Sequence, residues 1–294
     1  MKKITAILLV ACVAMLFTAC KKEGVYNPSK KISKIYYTST DGVKSLEEAW
    51  TWNKNNTLDK IDFYSSNSIY RTYNFTYDHK RLVKLSDYNN NRFVEYKYNG
   101  NKLKEASYYR SNTLRCVYTF TYKNGKISKI EEKWMDSKSA DDKDHSMALD
   151  FIMPRDFNET VANYEKRKEN SSSKGIEITT YTLTWEKGNV TNTKITETED
   201  GEMEEYTWEA KYDNKKNPFL GYAGDDDMED IVTHGYRSKN NITERTERWN
   251  NGSDYYTVKF DYSYEGQYPI SYRRSYDEGG YSGYSGMIEY EYTK

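Results

Sequence analysis

Six carboxylates on strand-like stretches, Glu131, Glu132, Glu197, Glu199, Glu204 and Glu205, are the groups of this 294-residue chain most suited to chemistry. Two carboxyl groups held either side of a glycosidic bond would form a glycosidase-like pair. Sequence spacing sets no such distance, so no catalytic residue is assigned. The histidines His79, His145 and His234 lie far apart, and no His-Glu-x-x-His run or Cys–His spacing joins them. The run Asp225-Asp226-Asp227-Met228-Glu229-Asp230 offers hard oxygen ligands but not the alternating order of a calcium loop, and reads as a solvated acidic loop. Gly279 to Gly286 is glycine-rich, with no following helix to hold a phosphate; it reads as a flexible hairpin loop and only secondarily as a ligand clamp. A Gly-x-Ser-x-Gly elbow is lacking too. Neither metal nor cofactor is expected.

Two residue types remain. Most of the 31 tyrosines belong to a core, where an amphipathic ring buries its face and its hydroxyl finds a partner. Tyr222, Tyr236, Tyr281 and Tyr284 fall in apparent loops and are candidates to stack on a sugar or a protein partner. The cysteines divide by position. Lys2 and Lys3 precede an apolar run from Ile4 to Phe17, and Leu16-Phe17-Thr18-Ala19-Cys20 follows, then Lys21-Lys22-Glu23. This is an export signal over residues 1–19 with a lipobox-like end, and Cys20 is the predicted lipid acceptor; an ordinary secretory signal with an incidental cysteine is the alternative. Acyl chains on Cys20 would tether the chain to a membrane through residues 20–28. Cys116 then has no partner for a disulfide and reads as a small buried apolar residue.

The elements that position these groups repeat. An alternating aromatic strand, a polar turn and a strand opening with Leu/Ile-x-Lys-Ile recur along the chain. Tyr73-Asn-Phe75-Thr-Tyr77 leads into Leu82-Val83-Lys84-Leu85, and Tyr118-Thr-Phe120-Thr-Tyr122 passes through Asn124-Gly125 into Ile127-Ser-Lys129-Ile130. Ile32, Leu58, Leu82, Leu103 and Ile127 are 26, 24, 21 and 24 residues apart, one hairpin each. Period-two alternation puts the rings on one face and Thr, Asn and Lys on the other. Asn-Gly and Asp-bearing turns supply the positive φ that tight hairpins need.

Eight aromatic and eight outgoing strands predict an all-β antiparallel up-and-down meander of about 14–16 strands. A sheet of that size curls or closes, which also removes its edges, so residues 29–294 read as one closed or nearly closed barrel. Two segments break the rhythm: 135–175, with a helical or irregular stretch whose residues 147–164 read as a plug or a surface excursion, and 219–239, a long loop. Charges on the polar face argue against a barrel that spans the bilayer with its strands. The net charge of −1 gives no footprint for nucleic acid. The mean hydropathy of −1.01 suggests disorder, but 16% aromatic residues argue for a folded chain.

The repeat unit resembles the tyrosine-aspartate repeats of Rhs-type proteins. Together with the lipobox and the phrase Tyr212-Asp-Asn-Lys-Lys-Asn-Pro-Phe219, it is similar to a family of Bacteroidetes lipoproteins of unknown function with a porin-like fold. That resemblance implies a β-barrel lipoprotein of the cell envelope, of the outer membrane and facing periplasm or surface, and brings no catalytic residues. The expectation is a non-enzymatic scaffold, held to the membrane at Cys20, that binds a glycan or an envelope protein. A structural accessory of an envelope complex and a carboxylate-dependent hydrolase are the alternatives.

Overall fold

In the computed structural model, residues 22–87, 91–135, 178–199, 202–220, 238–249, 255–278 and 281–293 are described. They hold sixteen strands. The first four are β1 (Ile32–Thr38), β2 (Lys44–Trp52), β3 (Leu58–Ser65) and β4 (Ser68–Asp78). Next come β5 (Arg81–Asp87), β6 (Arg92–Asn99), β7 (Lys102–Arg110) and β8 (Thr113–Lys123). Then follow β9 (Lys126–Trp134), β10 (Ile178–Glu186), β11 (Asn189–Glu199) and β12 (Glu202–Tyr212). The chain ends with β13 (Ile242–Trp249), β14 (Tyr255–Glu265), β15 (Tyr268–Glu278) and β16 (Tyr281–Tyr292). Each strand pairs antiparallel with its chain neighbours, and β1 pairs with β16 to close the barrel. The expected closed meander is the observed fold. The predicted plug, 147–164, and almost all of the 219–239 loop lie outside the described residues.

Tight turns follow the local chemistry. Asn124-Gly125 and Lys187-Gly188 both have positive φ, the type I′ signature that matches strand twist. Ser66-Asn67, His79-Lys80 and Ser111-Asn112 adopt the same left-handed pair without glycine.

The Leu-x-x-Ile spacing of the outgoing strands has a specific cause. In a regular strand, residues three apart point to opposite faces. Here both point inward: Leu58 and Ile61 are buried, as are Leu82 and Leu85, and Ile127 and Ile130. The register explains it, because Trp52 pairs with Leu58 while Thr51 pairs with Lys60, leaving Asp59 unpaired in a β-bulge. The same one-residue shift recurs at the start of every outgoing strand, at Ser33, Val83, Lys104, Ser128, Thr191, Thr243 and Ile270. Eight bulges thus ring one rim of the barrel.

Each bulge is tied to the next repeat. The last aromatic side chain of an incoming strand donates to the carbonyl of the apolar residue that opens the preceding outgoing strand. Trp52 Nε1 reaches Ile32 O at 2.7 Å, Tyr98 Oη reaches Leu82 O at 2.6 Å and Tyr122 Oη reaches Leu103 O at 2.9 Å. Trp185 Nε1 reaches Ile127 O at 2.6 Å, Tyr292 Oη reaches Pro269 O at 2.7 Å, and Tyr212 makes the same bond to Val190. Tyr264 departs, donating to the Asp213 carboxylate. The cation before the apolar opener lies over the same ring: Lys31 over Trp52, Arg81 over Tyr98, Lys102 over Tyr122 and Lys126 over Trp185, at 4.3–5.2 Å. The Lys-Leu-x-Lys-Ile unit therefore encodes, in order, a cap, a tied carbonyl, a bulge, a wet lysine and a core residue.

Tyr98→Phe keeps the ring and loses only the tie. We expect it to lower stability by about 1 kcal/mol, the net worth of one intramolecular hydrogen bond, read as a shift of the urea midpoint with unchanged slope. A loss near zero would show that the tie contributes geometry only.

Candidate functional site: the lumen and its two rims

A wall of sixteen strands encloses a space wide enough for water in channel-forming barrels. This barrel is filled at its bulged end by two segments outside the strands. Residues 22–31, of which 22–28 were expected from sequence to belong to the tether, cross that rim as a strap. Glu23 N donates to Asn101 O, Leu82 N donates to Gly24 O, and the Glu23 carboxylate accepts from Leu103 N at 3.2 Å. Gly24 has φ +75°, and a Cβ there would lie 2.1 Å from Tyr98 Oη, so glycine is required at the crossing. Beyond it Tyr26 drops into the lumen, 5% exposed, with its ring 5.6 Å from Trp52 and its hydroxyl donating to Pro218 O at 2.8 Å. The second segment is the phrase after β12. Asp213 accepts from Lys215 N and Asn241 N, and Asn217 Oδ1 accepts from Phe219 N. The turn so formed sets Phe219 between Trp50 and Tyr290, at 6.1 and 5.9 Å.

Towards the opposite rim the inner wall becomes charged. Glu132 accepts from Tyr181 Oη and Trp134 Nε1 at 2.6 Å and from Tyr118 Oη at 3.2 Å. Glu197 accepts from Tyr206 Oη at 3.0 Å, and Trp50 Nε1 donates to Glu48 at 2.7 Å. Arg245 pairs with Glu247 at 3.3 Å and lies 5.1 Å from the centre of the Trp208 ring. Burial pushes the Glu48 carboxyl up to about 7, against the opposing Trp50 bond and with help from Glu47. Burial likewise brings the Arg274 guanidinium down to about 10, and it drives Tyr262 and Tyr290 well above the ordinary phenol range. Carboxylates clasped by Tyr and Trp donors beside ring faces can bind polar, hydroxyl-rich or amide-bearing ligands.

The predicted residues distribute as follows. Glu132 and Glu197 face the lumen, and Glu197 opposes Glu204 across the β11–β12 pair. Glu131 and Glu205 belong to the outer wall, paired with Lys129 at 3.0 Å and Lys194 at 2.6 Å. The backbone of Glu199 pairs with Glu202. His79 forms part of a turn at the bulged rim. Cys116 is fully buried, as expected. Cys20, Tyr222, Tyr236 and Asp225–Asp230 lie outside the described residues. Tyr281 and Tyr284 are not in a loop: both belong to β16, paired with Glu278 and Ser275, so the glycine-rich stretch is strand from residue 281 on. The reason for its glycine is visible at Gly286, where a Cβ would lie 2.2 Å from the Thr38 carbonyl across the closing seam. Glu48, Tyr26 and Phe219 were missed. Only the alternation Glu48-x-Trp50-x-Trp52 could have placed Glu48 on the ring face.

The outer wall is polar along its length. Cross-strand pairs Lys44–Glu289 at 2.9 Å, Lys97–Glu105 at 2.7 Å, Lys194–Glu205 at 2.6 Å and Lys211–Glu244 at 2.7 Å stud it, between rows of Thr such as Thr119, Thr121 and Thr182. A spanning barrel needs an apolar outer band, and a charge at the bilayer midplane costs about 2–4 kcal/mol.

The fold is thus that of a closed sixteen-strand antiparallel barrel, with a core of rings and some buried charges inside and cross-strand ion pairs outside. It is similar to the crystal structure of a porin-like protein from Bacteroides uniformis, with TM-score 0.51 and 13% identity, covering 92% of this chain and 100% of the other. A porin-like protein from Bacteroides vulgatus gives TM-score 0.53 and 11% identity, covering 90% and 99%. No family model matches the chain. No curated protein matches it either.

Proposed function

We propose that this chain is a cell-envelope lipoprotein anchored at Cys20, whose barrel stands in water as a non-enzymatic scaffold. Its ligand is a glycan or another envelope protein, received at the mouth opposite the strap. The observation that supports this reading most is the polarity of the wall: a core of rings inside, cross-strand ion pairs outside and, among the described residues, the strap end filled by Tyr26 and Phe219. Of the exposed large apolar side chains among the described residues, Val43, Ile69, Tyr70, Ile178 and Met203 stand near the rim opposite the strap and only Ile270 at the strap rim, which favours a protein partner at the former and keeps an accessory role in an envelope complex as the second reading.

Detergent phase separation tests the anchor and the wall together. The wild-type chain, labelled metabolically with fatty acid, should enter the detergent phase, and Cys20→Ala should move to the aqueous phase with the label lost. An unlabelled wild-type chain would remove the lipid, and a Cys20→Ala chain that stays with detergent would show a wall that inserts. Titration of the barrel with envelope glycans, beside crosslinking in whole membranes, separates the ligands: saturable heat of binding marks a glycan, a stoichiometric crosslinked species marks a protein.

A further inference from the structure

Among the described residues, the turns of the two rims differ in charge. The bulged rim carries exposed lysines around the ring: Lys54 between β2 and β3, Lys80 between β4 and β5, Lys126 opening β9, Lys187 between β10 and β11, and Lys216 after β12. The acids of the same rim are largely engaged. Asp213 and Glu23 accept hydrogen bonds within the barrel, Glu265 pairs with Lys30 at 2.8 Å, and Asp78 contacts His79; Asp59 in a bulge and Glu186 beside Lys187 are exposed. The described turns of the opposite rim, residues 39–43, 66–67 and 111–112, contain no lysine or arginine, and Asp41 is their charged residue.

The strap gives this asymmetry a direction. Residue 22 is the first described residue, and Glu23 and Gly24 are already pinned to β7 and β5 at the lysine-bearing rim. Only residue 21 separates Cys20 from the strap, and one extended residue spans at most about 3.6 Å. We infer that the bulged rim is a docking surface for anionic lipid headgroups: its lysine ring lies flat on the leaflet that holds the Cys20 acyl chains, and the opposite rim is held away from the bilayer. The orientation rests on the anchor proposed above; the lysine ring stands independently of it. Strands of about ten residues, tilted by about 40°, lift the opposite rim roughly 25 Å from the headgroups.

Position-resolved quenching tests this on the full acylated chain in vesicles. A fluorophore is placed on Asn55→Cys at the bulged rim or on Ser66→Cys at the opposite rim, with headgroup-nitroxide lipid as quencher. Cys116 is buried and Cys20 acylated, so the background label is small. In vesicles containing phosphatidylglycerol, the Asn55 probe should be quenched several-fold more than the Ser66 probe. A lysine at an anionic surface contributes a factor of about five, so the triple variant Lys54→Gln, Lys80→Gln, Lys187→Gln should reduce the docked-to-undocked ratio by about 100-fold. Salt at 0.5 M should act likewise. The triple variant Lys97→Gln, Lys194→Gln, Lys211→Gln changes the net charge equally on the outer wall and should leave quenching unchanged. Equal quenching of the two probes, stronger quenching at Ser66, or equal effects of the two triples would overturn the inference. Mass spectrometry of the mature N-terminus reads the anchor separately. With an unmodified Cys20, co-sedimentation with anionic against zwitterionic vesicles still decides the lysine ring.

Discussion

Tyr26→Ala is expected to lower the unfolding free energy by about 3–5 kcal/mol, the range for removing a buried aromatic ring from a packed core. The ring is almost wholly enclosed, lies against Trp50 and Trp52, and meets the backbone of the β12–β13 connection through its hydroxyl. Its burial also holds the hydroxyl well above the ordinary phenol range. Tyr26→Phe isolates the single bond to Pro218 O and should lose about 1 kcal/mol. Urea unfolding followed by tryptophan fluorescence reads both, since Trp50 and Trp52 report on the site. If Tyr26→Ala lost less than about 1 kcal/mol, the strap would be an appendage and the strand ring alone would hold the barrel.

The second large effect is a dependence on pH. The Glu48 carboxyl holds its proton up to about 7 in the folded chain, against an ordinary value of 4.5. Between those values the folded state binds a proton that the unfolded state has released. Stability from this group is therefore complete below about pH 4.5, falls as pH rises, and is gone above about pH 7. The difference is on the order of 3 kcal/mol. Glu48→Gln keeps an acceptor for Trp50 Nε1 and carries no charge, so its stability should be flat over this window. At pH 8 it should exceed the wild type by about 1–3 kcal/mol; at pH 4.5 the two should nearly coincide. Parallel urea titrations at pH 4.5, 6 and 8 settle it, and two curves that run parallel would mean that Glu48 ionises freely in the lumen.

The parts of this architecture that were legible in sequence are those written in a short period. Alternation in Tyr73-Asn-Phe75-Thr-Tyr77 and the Asn124-Gly125 turn state locally which face is dry and where the chain reverses. The Leu82-Val83-Lys84-Leu85 spacing also contains the bulge, since two core residues three apart in a strand require one, but only the register made that evidence usable. Residues whose role depends on distant partners were opaque. Tyr26 follows Lys21-Lys22-Glu23 and reads as linker, because nothing nearby indicates Trp50, Trp52 and Pro218 as its surroundings. Glycine at 286 reads as slack, whereas the carbonyl of Thr38, far away in the chain, makes it obligatory. Glu48 was overlooked for a related reason: a carboxylate on a ring face stands out only once the wall curves that face inward.

The seam between β1 and β16 has a consequence for biogenesis. Ile32 meets Tyr292 there, and joining ends about 260 residues apart carries a loop-closure entropy of about 5 kcal/mol. Hairpins can form as the polypeptide emerges, and each can latch onto its predecessor, so an arc grows by local steps. Until its final strand arrives, that arc keeps two unsatisfied edges of matching geometry, one at each end. An intermediate of this kind would invite pairing with a second such intermediate, so completion hinges on delivering β16 before a neighbour offers its own.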